Sequence, residues 1–179
     1  MARTAVICDL DGTLVDVSST IHHILVDKDM DLFHTRTNES APPTPWVRSW
    51  CEYQHFELGH EVLMLTGRSE KYRDGTVNWL ARHVTALPFR GPVMRADGDN
   101  RSDDQIKREM FAAVGQAGYQ VVGAIDDRPR VLSLWRELGI DPVVSLRPDW
   151  VGSGEDYTDH DHRAWAEQEL LRREHGWRP

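Results

Sequence analysis

At 179 residues the chain is long enough for one domain with a substantial core and short for two. Its formal charge of −8 argues against a protein that coats nucleic acid through broad basic surface, while leaving room for a local basic pocket. Two cysteines, one inside an apolar run, argue against a disulfide framework, and no apolar stretch is long enough for a leader or a membrane span, so a soluble cytoplasmic protein is expected.

The first apolar run, TAVICDL (4–10), is predicted to be a strand. Residues 13–41 then break the pattern with mixed charge and several histidines, closing on SAPPTP, and read as an insertion between the first strand and its helix. Its His22, His23 and His34 are read as surface or packing residues rather than ligands. Further strands are predicted at EVLMLTG (61–67), GPVMRA (91–96), YQVVGAIDD (119–127) and DPVVSL (141–146). These runs are continuous rather than alternating, as parallel strands covered on both faces should be.

Helical patterns lie between them: PWVRSWCEYQHFELGH, SEKYRDGTVNWLARHV, SDDQIKREMFAAVGQAG and RPRVLSLWRELG. In the third, Ser102 and Gln105 have capping-box spacing, and Ile106, Met110, Ala113 and Ala117 are expected along one face. In the fourth, Pro129 falls near the first turn and Gly139 just past the end. The repeating β–α order predicts an α/β fold of three layers with a mostly parallel central sheet and right-handed crossovers.

This domain is expected over residues 1–150, followed by a tail over 151–179 that ends in a short helix, RAWAEQELLRREHG. Asp159, His160, Asp161 and His162 are consecutive, so they cannot all converge on a metal and read as a solvated cap. Trp165 with Leu170 or Leu171 would dock the tail helix on the domain or on a partner subunit, which leaves a dimer open.

In open α/β sheets the reactive site lies beyond the carboxyl ends of the strands. Those ends carry Asp9 and Asp11, then Thr66-Gly67-Arg68, then Asp126-Asp127. Four acids therefore meet where unpaired negative charge is least tolerable, and an all-oxygen set suits a hard cation such as Mg²⁺. Of Asp126 and Asp127, one is expected to bind the metal and the other to cap the next helix or support the site. Lys107 could form an ordinary surface pair with Asp103 at i, i+4. It also lines up with Phe111 and Val114 beside the apolar stripe, which favours an inward lysine.

DLDGTLVD, LTGR, a lysine in the third helical region and IDDR, in this order, resemble the four motifs of the haloacid dehalogenase-like (HAD) phosphatases over roughly residues 4–146. The resemblance implies that Asp9 is a nucleophile forming an aspartyl-phosphate, and Asp11 a general acid and then base. It implies Mg²⁺ held by Asp9, the Asp11 backbone carbonyl and Asp127 or Asp126. It also implies that Lys107 offsets the charge of the nucleophile and phosphoryl group, with Thr66 and Gly67 orienting the latter.

Two longer stretches, MRADGDNRSDDQIKREMF and AIDDRPRVLSLWRELGI, are similar to the phosphatase domain of bacteriophage polynucleotide kinase–phosphatases. They share Gly98-Asp99, Arg101, Asp103-Asp104, Lys107 and Phe111, then Asp126-Asp127-Arg128, Val131, Trp135 and Arg136. That likeness implies removal of a 3′-phosphate from nucleic-acid ends, with Arg68, Asp103 and Arg128 among the substrate-binding residues. No G-x-x-x-x-G-K-[ST] occurs, so the sequence gives no ground for kinase activity. No Gly-Arg-Gly-like basic loop follows Asp16, and the insertion is short for a lid, so an open site is expected. Lys71, Arg73, Arg95, Arg101, Arg128 and Arg130 gather near the motifs, and two or three are expected to meet a phosphate backbone. The alternatives are a nucleotidase acting on free nucleoside monophosphates and a non-catalytic HAD-like binding protein.

Overall fold

A computed structural model describes residues 3–146. The elements are β1 (Arg3–Cys8), α1 (His22–Leu25), α2 (Met30–Ser40), α3 (Pro45–Phe56), β2 (Glu61–Ser69), a 3-10 turn (Glu70–Tyr72) and α4 (Arg73–His83). β3 (Phe89–Arg95), α5 (Asp103–Gln116), β4 (Tyr119–Asp126), α6 (Pro129–Glu137) and β5 (Val143–Ser145) follow. The five strands form one sheet in the order β3-β2-β1-β4-β5, and every pairing is parallel.

The sheet explains why its apolar runs do not alternate. Along β1, Val6 and Cys8 enter one core cluster with Val47 and Cys51 of α3 and Trp79 and Leu80 of α4. Ala5 and Ile7 point the other way, onto Ile106 and Met110 of α5 and Leu132 and Trp135 of α6. Both faces are apolar because both are covered, and each buried Ile or Leu contributes about 1.5–3 kcal/mol.

Several predicted boundaries shift. The first strand stops at Cys8 rather than residue 10, because Asp9 and Leu10 enter a turn closed by Thr13 N–H donating to the Leu10 carbonyl at 3.1 Å. Gly12 takes a φ of 80° in that turn, a conformation costly for any residue with a Cβ. On α5 the buried residues are Ile106, Lys107, Met110 and Val114, whereas Ala113 and Ala117 are exposed. The helix has turned its larger side chains and Lys107 to the sheet, which the small alanines cannot compete with. Ser102 N–H donates to Gln105 Oε1 at 3.3 Å, completing the expected capping box. Pro129 opens α6, and Gly139 follows it at a φ of 78°.

The insertion is a built part of the fold. Asp29 caps α2 by accepting from Leu32 N–H at 2.8 Å, and Thr20 and Thr37 share a buried hydroxyl–hydroxyl bond of 2.8 Å. Trp79 of α4 donates its indole N–H to the Ala41 carbonyl at 2.8 Å, tying the end of the insertion to the domain. No helix among the described residues is long and apolar enough to cross a membrane. The expectations for the tail, from the acidic-histidine stretch to the short helix, lie outside the described residues.

Candidate active site

Parallel strands put their carboxyl ends at one edge of the sheet, and the acids gather there. Asp9 follows β1 and is 4% exposed; Asp126 ends β4, with Asp127 next, and both are buried. Lys107 rises from α5 into this group. Its Nζ lies 2.7 Å from Asp9 Oδ1, 2.8 Å from Asp126 Oδ2 and 3.4 Å from Asp103 Oδ2, and it is fully buried. Burial alone would discharge this lysine, but Asp126, Asp9 and Asp103 outweigh it and hold it protonated.

One lysine does not balance four carboxylates. Burial, reinforced by Asp126 and Asp103, pushes Asp9 up to about 7 even against Lys107. Asp127 is pushed well above the usual carboxylate range by burial, Asp9 and Asp126. Oxygens of Asp9, Asp126 and Asp127 lie within 4.8 Å of one another, close enough to share one ion, and the all-oxygen set fits a hard divalent cation. The two neighbouring acids are not equivalent. Asp126 already accepts from Lys107, from Trp135 Nε1 at 3.4 Å and from Arg128 N–H at 3.1 Å, whereas Asp127 lines the open cleft with Asp9 and Asp11.

Asp11 has a different partner. Arg68 grips it with both ends of its fork, Nε to Oδ2 at 2.7 Å and Nη2 to Oδ1 at 2.5 Å, while Nη1 donates to Asn38 and Thr76 at 2.7 and 3.0 Å. Burial would raise the Asp11 carboxyl, but the Arg68 charge and hydrogen bonds override it and hold it below the usual range. Arg68, expected to meet substrate, thus has these donors committed within the protein. The Thr66-Gly67-Arg68 turn allows this, because Thr66 Oγ1 accepts from Arg68 N–H at 3.2 Å. A Cβ on Gly67 would run into the Asp103 carboxylate, so glycine lets the tip of β2 approach the start of α5. Asp103, likewise expected at substrate, pairs with Arg95 at 3.2 Å and with Lys107.

These groups line a cleft of about 460 Å³. Asp9, Asp11, Thr66 and Asp127 line it, together with Arg95 and Arg128. The insertion supplies an apolar wall that includes Ile21, Met30 and Phe33. Of the other basic residues, Lys71 pairs with Asp31, Arg73 with Glu70, and Arg101 with Asp99 and Glu109. His22 and His23 do not line the cleft, but His34 does. His34 is 4% exposed, packs on Tyr72 at 4.2 Å between ring centroids, and places Nδ1 3.9 Å from Asp11 Oδ2. Burial holds it neutral by pushing it down to about 4, with Arg68 and Lys71 adding to that and Asp11 opposing. Neither His34 nor Arg95 stood out as a particular site residue in the sequence, since each needed a tertiary neighbour to draw it inward.

A viral protein assigned as a bifunctional polynucleotide kinase/RNA ligase, from Autographa californica nuclear polyhedrosis virus, is 24% identical over 149 residues, 82% of this chain and 20% of its own. A chain of the Pnkp1/Rnl/Hen1 RNA repair complex is 29% identical with a TM-score of 0.66, over 81% of this chain and 42% of that one. The present chain thus spans less than half of either relative. The class C acid phosphatase of Bacillus anthracis, at 15% identity and a TM-score of 0.53, shares the fold over 96% of this chain and 63% of its own. The family described as the polynucleotide kinase PNKP phosphatase domain matches residues 3–146. The chain therefore belongs to that family, and it is a HAD-type phosphatase.

Proposed function

We propose that this phosphatase removes 3′-phosphates from nucleic-acid ends, depends on Mg²⁺, and works through an aspartyl-phosphate. The observation that carries this reading is the pairing of Asp9, which lines the cleft with Asp11, with a buried, protonated Lys107 behind it. The RNA repair context of one relative and the polynucleotide kinase assignment of another support the choice of substrate.

Asp9 attacks phosphorus with one carboxylate oxygen, the bond to the leaving oxygen breaks, and Asp11 gives that oxygen its proton. Water then attacks the aspartyl-phosphate, Asp11 takes its proton, and inorganic phosphate leaves with the Asp9 carboxylate restored. Arg68 holds Asp11 ionised, so the proton that Asp11 passes to the leaving oxygen arrives with the substrate. Asp9, Asp127 and the Asp11 carbonyl would hold Mg²⁺, which supplies positive charge against the phosphoryl oxygens. Asp126 positions Lys107, and Lys107 with Thr66 orients the phosphoryl group.

A nucleotidase acting on free nucleoside monophosphates would use the same residues, and the cleft volume falls within the range that takes one small ligand. The two separate in an assay of phosphate release with Mg²⁺. Matched oligonucleotides carry either a 3′- or a 5′-phosphate, with 3′- and 5′-mononucleotides alongside. The 3′-phosphorylated oligonucleotide should be the best substrate, and Asp9→Asn should abolish release while keeping its fold. Preference for mononucleotides would move the function to nucleotide metabolism, and full activity in Asp9→Asn would remove the covalent intermediate.

A further inference from the structure

Resting on the 3′-phosphatase reading, we propose that His34 binds the hydroxyl adjacent to the scissile ester, so that the site prefers a 3′-phosphate on a ribose end to one on a deoxyribose end. His34 comes from α2 of the insertion, outside the strand-end motifs. Its imidazole is more than nine-tenths buried, and Nδ1 has no hydrogen-bond partner among the described residues. Such an atom is costly unless something satisfies it. The nearest charged oxygen, Asp11 Oδ2, is 3.9 Å away, too far for a direct bond. A hydroxyl oxygen about 2.8 Å from each atom would span that gap.

The proposed chemistry says which hydroxyl this is. Asp11 must touch the leaving oxygen, so the substrate atoms beside it lie one carbon further on. At a ribose 3′ end that carbon bears the 2′-hydroxyl; at a deoxyribose end it bears only hydrogen. With the proton of His34 on Nδ1, that N–H donates to the hydroxyl oxygen and the hydroxyl donates on to Asp11 Oδ2, so one group completes both contacts. The imidazole is also held in place. Tyr72 packs on one side with its ring tilted by 40°, Phe33 lies 4.9 Å away between ring centroids, and Asp31 accepts from both the Tyr72 hydroxyl and Lys71 Nζ. A fixed ring loses little freedom on binding, which suits a group that discriminates by one hydrogen bond.

The test uses oligonucleotides that differ only in the terminal sugar: ribose, deoxyribose or 2′-O-methylribose, each with a 3′-phosphate. For the wild-type enzyme kcat/KM should be roughly tenfold higher on the ribose end than on deoxyribose, the scale expected when a buried polar group loses its partner. The 2′-O-methyl end should be no better than deoxyribose. His34→Ala should bring the ribose and deoxyribose values together. His34→Asn, which keeps a hydrogen-bonding atom near the position of Nδ1, should retain part of the difference. Equal wild-type values on ribose and deoxyribose would overturn the assignment without reference to any variant, while leaving the 3′-phosphatase reading intact. So would a His34→Ala variant that lowers both substrates in proportion. Failure to hydrolyse any 3′-phosphorylated end would overturn the reading and the assignment together.

Discussion

Lys107 shows what a single buried charge does here. Its ammonium sits among Asp9, Asp103 and Asp126, so losing it leaves three largely buried carboxylates without their shared cation. Breaking a buried pair from one side costs about 3–5 kcal/mol, because the partner's desolvation is then uncompensated. Lys107→Met should therefore destabilise the fold by about that much in urea titration and remove phosphatase activity. The exposed pair Arg108–Glu137 is the control: at 2.7 Å it is as short, but Arg108→Ala should cost less than about 1 kcal/mol. Equal losses in the two variants would mean that Lys107 is a surface-like residue after all. The lysine was readable in the sequence because it shares a helical phase with Val114. His34 was not, since the described part of its helix buries only Phe33, His34 and Thr37 and shows no apolar stripe. Its burial depends on Tyr72, which arrives from beyond β2.

At the scale of elements, the site depends on how closely the tip of β2 meets the first turn of α5. Gly67 leaves no side chain there, and Arg95 holds both sides, donating to the Gly67 carbonyl at 2.7 Å and to Asp103. Gly67→Ala would push the Asp103 carboxylate away from Arg95 and Lys107. Because that carboxylate ends a short side chain that can swing, the expected loss is mainly in turnover, with a small change in melting temperature. A variant with normal kcat/KM would show that the close approach serves packing alone. The elements themselves were legible because runs such as AVIC and VLML must be covered on both faces. Their ends were less so: the apolar signal of β1 carries on into Leu10, whereas the backbone leaves the sheet after Cys8 to form the Asp9–Thr13 turn. On α5 the expected stripe holds at Ile106 and Met110 and fails at Ala113 and Ala117 for a related reason. Alanines match an apolar stripe by type, but Val114 and Lys107 decide which way the helix turns.

At the scale of the whole molecule, the parallel sheet gathers its acids at one edge, in a chain already carrying a charge of −8. The proposed metal would relieve that edge, so binding and folding should be linked. Asp9 is pushed up to about 7 in the folded protein, from its ordinary 3.8. A carboxyl raised by folding stabilises the metal-free fold below its unfolded value and loses that contribution as pH rises through the folded one. Asp127 shifts in the same direction, whereas Asp11 and Asp103 are lowered and matter only on the acid side. Mg²⁺ needs its carboxylates ionised, so it should stabilise most where the metal-free fold is weakest. At a hundredfold excess over its Kd the gain is about 2.7 kcal/mol, with roughly 2–4 °C expected per kcal/mol for a chain of this size. The rise in melting temperature on adding Mg²⁺ should therefore be larger at pH 8 than at pH 5. Asp9→Asn should abolish the rise and also raise the metal-free melting temperature at pH 8, since it removes one of the repelling charges. A rise of the same size at both pH values, or one that survives in Asp9→Asn, would place the bound ion elsewhere on the molecule.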